Sequence, residues 1–190
     1  MKVRELSLPG LKRIEPQVHG DRRGYFLETW QAERFAAAGL SANFVQDNLS
    51  RSERGSLRGL HYQLPHAQGK LVWVGLGQVF DVVVDIRRGS PHFGRWHGEV
   101  LSDQDHHQLF IPPGFAHGFL VLSETADFHY KCTDTYHSEA EHGVLWSDPQ
   151  IAISWPLADL GAPIISTKDA AQPTLAQVPD DRLPAFESDR

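Results

Sequence analysis

The chain predicts an all-β domain of the sandwich, jelly-roll or barrel kind. Short apolar runs recur along its 190 residues, Gly, Pro and Asp turns separate them, and only one segment has a helical composition. That helix is expected from Trp30 to Ala38, rich in Ala, Gln and Glu, and Gly39 after it suits a left-handed C-terminal cap. Phe44 to Asn48 reads as a strand with Gln46 and Asn48 on one face, and Leu57 to Gln63 as a buried strand. The strongest β signal runs from Lys70 to Ile86: Leu71 to Val74, a turn near Gly75-Leu76-Gly77, then Val79 to Ile86. In that second run Phe80, Val82, Val84 and Ile86 share a face, and Asp81 and Asp85 take the other. Further strands are expected at Arg95 to Leu101, His107 to Ile111, Gly118 to Leu122 and Asp127 to Thr133. The tail from about Ala171, with three prolines and several charges, is expected to be extended or partly disordered.

Composition narrows the function. With 41% hydrophobic and 22% charged residues the chain is ordinary globular protein with one compact core. Its net charge of −6 argues against nucleic-acid binding, which needs clustered Lys and Arg on a basic balance. Any anionic ligand must then be met by a local basic cluster. No apolar run near the start resembles a signal segment and no 18-residue uncharged stretch occurs, so a soluble, cytoplasmic protein without membrane contact is expected. Cys132, the one cysteine, has no neighbours at zinc-ligand spacing and reads as a small strand residue.

The most informative segment is Leu57-Arg58-Gly59-Leu60-His61-Tyr62-Gln63, which sets a guanidinium and an imidazole three positions apart in a strand. An isolated strand histidine is ordinarily a core residue bonded to backbone. Here a second histidine, His117, recurs in the Pro113-Gly114-Phe115-Ala116-His117 turn, and polar groups inside an all-β pattern suggest a lined cavity. Strict alternation sets Arg58 and His61 on opposite faces. Either a bulge at Gly59 rotates one of them, or Arg58 serves a different part of the pocket.

Several ordered motifs together carry a resemblance: Gly20 to Glu28, Phe44 to Asn48, Leu57 to Gln63, Gly69-Lys70-Leu71-Val72, Val79 to Arg87, Ile111 to Phe119, Phe128-His129-Tyr130-Lys131 and Ser166-Thr167-Lys168-Asp169. In these the chain resembles the dTDP-4-dehydrorhamnose 3,5-epimerase family, from about residue 4 to about residue 184. The resemblance implies a cupin-type jelly-roll barrel with a few short helices, forming a single epimerase domain over 1–184 with a disordered end at 185–190. It also implies a homodimer, a dTDP-sugar substrate and no cofactor or metal.

Inverting a carbon beside a ketone needs a base, a donor for the enolate oxygen and an acid on the opposite face. His61 suits the base, since imidazole titrates near pH 6.5 and such transfer contributes ~10²–10⁴ in rate. By resemblance Asp169 partners it, fixing its tautomer. Tyr130 is the family's candidate acid, on a strand where Phe128, Tyr130 and Cys132 share a face. Tyr136 is a second phenol, whose counterpart in the family lies near the site. Lys70 is the candidate donor to the developing oxyanion, a role commonly worth ~2.7–4 kcal/mol. Arg23 and Arg58, assisted by Lys168, match the diphosphate-binding positions. Phe26 stacks on the base in this reading, Glu28, Gln46 and Asn48 are matched polar positions, His117 lines the site beside Lys70, and Glu141 matches a binding position although His142 interrupts the usual spacing.

The resemblance thus predicts epimerisation of dTDP-4-dehydro-6-deoxy-D-glucose at C3 and C5, with inversion at C3 alone as the alternative. A metal-dependent cupin oxygenase or isomerase is the third reading. It requires a His-x-His pair followed by an acid, and Gln63 stands where the second histidine belongs.

Overall fold

The computed structural model describes residues 1–186. The strands are β1 (Lys2–Glu5), β2 (Lys12–Glu15), β3 (Val18–Asp21), β4 (Gly24–Leu27), β5 (Gln46–Glu53), β6 (Ser56–Gln63) and β7 (Lys70–Leu76). They continue as β8 (Gln78–Asp85), β9 (Trp96–Ser102), β10 (Gln108–Ile111), β11 (Phe115–Val121), β12 (Thr125–Cys132), β13 (Glu141–Gly143) and β14 (Ile164–Ile165). Two short helices, α1 (Ala32–Ala37) and α2 (Thr167–Ala170), complete the set with three single 3₁₀ turns.

Two sheets form a jelly-roll sandwich. One has the order β1-β2-β10-β7-β12-β5, the other β13-β6-β11-β8-β9 with β14 parallel to β6, and β3 pairs only with β4. Between the sheets Val72, Val74, Leu109, Ile111 and Phe128 of the first meet Val79, Val83, Leu101, Phe115 and Phe119 of the second. The outer faces are covered too. Phe35 and Leu40 pack with Ile14 and Leu71 on one side, while Leu60, Tyr62, Val82, Val84 and Ile86 face the C-terminal segment on the other. Because the face of β8 opposite Phe80, Val82 and Val84 is the one turned between the sheets with Val79 and Val83, its aspartates are not in solvent: Asp81 and Asp85 are fully buried.

The helix is shorter than expected at both ends. Gln31 caps it by accepting the Arg34 N–H, Trp30 packs on Phe35 with ring centroids 4.4 Å apart, and Gly39 follows at φ 79°. The strand expected from Phe44 begins at Gln46, and its alternation does set Gln46 and Asn48 on one side. His117 lies in β11 rather than in a turn, because the positive φ at Gly114 ends the turn before Phe115.

The tail corrects the expectation of disorder as far as residue 186. Leu175, Val178 and Leu183 are buried over the outer face of β6 and β8, and Thr174 and Gln177 close a capping box. Tyr62 donates its hydroxyl to the Arg182 carbonyl at 3.0 Å. Three prolines sit between single turns, where no ladder hydrogen bond is needed. Ala185 bridges Arg88, one residue from where the described segment ends, and residues 187–190 lie outside it.

Candidate active site

The cavity between the sheets opens beside β6, and a bulge in that strand shapes it. His117 of β11 pairs with His61 and Phe119 with Arg58, so two residues of β6 oppose the single Gly118. Gly59 sits at φ 118°, and a Cβ there would lie 2.6 Å from the Gly118 Cα. Glycine is therefore required by both conformation and space. The extra residue turns Arg58 and His61 to the same side, which settles the choice that alternation left open.

The cavity has an outer part of about 330 Å³, lined by Gln46, Asn48, His61, Lys70, Tyr130, Tyr136 and Glu141. An inner part of about 80 Å³ is lined by Arg58, His61, Lys70, His117, Phe119 and Tyr130. His61, Lys70 and Tyr130 border both. His61 comes from β6 in one sheet and Tyr130 from β12 in the other, so they stand on facing walls.

His61 Nε2 lies 2.8 Å from Asp169 Oδ1. Asp169 is buried at the start of α2, where Ser166 caps the helix by accepting the Asp169 N–H, and Asp169 Oδ2 accepts the Gly59 N–H at 3.2 Å. Burial alone would raise its pKa, but contact with His61, the Gly59 N–H and Ser166 outweighs it and holds the carboxyl below its usual range. As an ionised acceptor it receives a hydrogen bond from Nε2–H. Nδ1 is left with the lone pair.

Burial pushes the Tyr130 phenol above its ordinary pKa, which keeps it protonated. Lys70 Nζ is 5.9 Å from the centre of that ring, and burial pulls the ammonium down from its ordinary value. Arg58 Nε donates to Ser52 Oγ at 2.9 Å, which leaves its terminal nitrogens for a ligand. At the rim Gln46 accepts the Tyr136 N–H and donates to Asn48, while Tyr136 donates its hydroxyl to Glu141 at 2.9 Å. Lys168 is ion-paired to the same Glu141 carboxylate. The structure thus gathers His61, Lys70, Tyr130, Asp169, Arg58, Gln46, Asn48, His117, Tyr136, Glu141 and Lys168 around one space.

Three expected residues are not there. Arg23 and Phe26 are on the β3–β4 hairpin, 89% and 70% exposed, and Arg23 is paired with Asp21. Glu28 follows the hairpin and pairs with Arg34 at 3.2 Å. Among the described residues the hairpin makes no ladder with either sheet.

Sequence reasoning missed Gln63 and Gln68, which line the outer cavity, and Asp81. Asp81 is 0% exposed and its Oδ2 lies 2.8 Å from His117 Nε2, a second carboxylate–imidazole pair beneath the inner cavity. Its other oxygen has no hydrogen-bond partner. The available signal was a carboxylate in the middle of the most apolar strand of the chain. Among the described residues no three metal-ligating side chains converge in this cavity.

A family model described as dTDP-4-dehydrorhamnose 3,5-epimerase matches residues 5–177. A dTDP-4-dehydrorhamnose 3,5-epimerase of Pseudomonas aeruginosa is 55% identical over 170 residues, which is 89% of this chain and 93% of that protein. The fold superposes on the crystal structure of dTDP-6-deoxy-D-glucose-3,5-epimerase from Legionella pneumophila in complex with dTDP-4-keto-L-rhamnose, with a TM-score of 0.95 at 50% identity over 98% of this chain and 99% of that one. A 3′-monoepimerase from Streptomyces bikiniensis in complex with dTDP-quinovose gives a TM-score of 0.87 at 35% identity over 95% of this chain and 91% of that one.

Proposed function

Because this chain belongs to the dTDP-4-dehydrorhamnose 3,5-epimerase family, we propose that it converts dTDP-4-dehydro-6-deoxy-D-glucose to dTDP-4-dehydro-L-rhamnose by inverting C3 and C5. The observation that carries this reading is the placement of His61 and Tyr130 on facing walls of one cavity.

His61 removes the proton beside the C4 ketone through Nδ1, and Asp169 stabilises the imidazolium that forms. The electrons move into an enolate whose C4 oxygen Lys70 holds; such a donor is worth ~2.7–4 kcal/mol. Tyr130 then delivers a proton to the same carbon from the far side, and the configuration inverts. The acid role falls to Tyr130 rather than Tyr136 because Tyr130 borders both parts of the cavity, whereas Tyr136 is half-exposed and bonded to Glu141. Arg58 and Lys168 take the diphosphate, and Gln46 and Asn48 the polar edges of base or sugar. No step uses a cofactor or a metal.

The exposed hairpin supports a homodimer in which β3–β4 of one protomer, carrying Arg23 and Phe26, closes the cavity of the other. We place the enzyme in the cytoplasm as a single domain over 1–184; no helix of the described residues is long and apolar enough to cross a membrane. The test is to incubate enzyme with substrate and read the product by proton NMR. Couplings of the L-rhamno configuration support the assignment. A product inverted at C3 alone would make this chain a one-centre enzyme, as its Streptomyces neighbour is named.

A further inference from the structure

His66, Asp134 and His137 lie outside the substrate cavity, and each offers a ligand atom within 4.8 Å of the others. His66 Nδ1 is 3.4 Å from Asp134 Oδ2, and the His66 ring stacks on that of His137 with centroids 4.0 Å apart. None of the three has a part in the proposed epimerisation. We propose that these side chains bind a divalent transition-metal ion of the Zn²⁺ class, which clamps the turn after Pro65 to the loop that carries Tyr136.

The donor set selects the class of ion. Two imidazole nitrogens and one carboxylate suit Zn²⁺, with water on the open side, whereas Ca²⁺ and Mg²⁺ want shells of oxygen. Ligand bonds of ~2.0–2.2 Å put tetrahedral donors roughly 3.3–3.5 Å apart, so the donors have to close by about 1.5 Å at most. All three side chains retain solvent exposure and are free to make that rotation.

The backbones that carry them are already fixed by two side-chain amides. Gln63 is buried; its amide nitrogen donates to the His66 carbonyl at 2.9 Å and the Thr135 carbonyl at 3.2 Å, while its oxygen accepts the His137 N–H at 2.8 Å. Gln68 donates to the Asp134 carbonyl at 2.9 Å. Asp134 Oδ1 accepts the Thr135 N–H at 2.7 Å, which leaves Oδ2 turned toward His66. His66 itself has φ 65°, a left-handed conformation uncommon outside glycine, held here with its ring over His137. Glu139 Oε1 lies 3.4 Å from His137 Nδ1, the carboxylate partner that orients an imidazole ligating through Nε2. That nitrogen exchanges its 3.1 Å contact with Thr135 Oγ1 for the ion. Since Gln63 also lines the substrate cavity and Tyr136 precedes His137, the bound ion stiffens one wall of that cavity.

Calorimetric titration of chelator-stripped, full-length protein with zinc chloride tests this. The variants are His66→Asn, His137→Gln and their combination; asparagine accepts the left-handed backbone, and metal-free melting and circular dichroism check folding. Wild type should bind one tight equivalent that raises the melting temperature, each variant should bind it roughly tenfold or more weakly, and His61→Ala should keep it. Equal affinity in wild type and the double variant overturns the proposal. Loss of the tight equivalent in His61→Ala overturns it as well, because the ion would then belong to the catalytic pair.

Discussion

Asp169 Oδ1 sits 2.8 Å from His61 Nε2 although 108 residues separate them in sequence. That contact decides which ring nitrogen acts as base. His61→Ala is expected to abolish both solvent exchange and epimerisation while leaving dTDP affinity, read by calorimetry, within a few-fold of wild type. Asp169→Asn mis-sets the tautomer and should lower kcat by roughly 10²–10⁴. Substantial exchange by His61→Ala would assign the base elsewhere.

Tyr130 acts after proton removal, so its loss should divide the reaction. Tyr130→Phe is expected to keep exchange catalysed by His61 and to lose inversion, most severely at C5. Normal inversion at both centres, followed by NMR in deuterated water, would transfer the acid role to Tyr136 or to water.

Much of this site was legible because its residues break an apolar pattern. His61 in a buried strand and Gln46 with Asn48 on one face needed only alternation, and the turn between the two strands of Lys70 to Ile86 was marked by its glycines, although the strands it joins enter different sheets. What stayed hidden depends on cross-strand partners. The bulge that turns Arg58 beside His61 exists because Gly59 meets Gly118, two residues far apart in the chain. Asp81 read only as a residue of the face opposite Phe80 and Val82; that this face is the one turned between the sheets, and that its partner His117 comes from β11, is set by the sheet pairing. Leu175, Val178 and Leu183 have no strand or helix period of their own; they are ordered by the surface they cover. Asp169, Lys168 and Tyr130 stood out from neighbouring residues only through the family resemblance.

The hairpin carrying Arg23 yields a complementation test. In a homodimer that exchanges hairpins, mixing Arg23→Ala with His61→Ala chains leaves one of the two cavities of each mixed dimer intact. Activity at low substrate should then exceed that of either variant alone. Mixtures that show only the average of the two parents would mean that the hairpin serves its own chain.

Stability in acid should depend on Asp85. This buried carboxylate accepts from Arg87 Nε at 3.0 Å, from its terminal nitrogen at 2.7 Å and from Ser90 Oγ at 2.7 Å. Burial raises its pKa, and the Arg87 and Ser90 contacts outweigh that and hold it below the usual range. A carboxyl with a lowered folded pKa contributes fully above its unfolded value of ~3.9 and loses that contribution as pH falls through the folded one. Asp85→Ala should therefore cost ~3–5 kcal/mol in urea unfolding at neutral pH, and the gap from wild type should narrow below about pH 4. A gap that stays constant into acid would contradict the ionised pair.

The two-face mechanism is tested most directly by proton NMR of dTDP-4-dehydro-6-deoxy-D-glucose turned over by the wild-type enzyme in deuterated water. With His61 and Tyr130 on facing walls, solvent deuterium should enter at both C3 and C5, each with inversion. Deuterium at C3 alone, or label at either centre with retention, would contradict it.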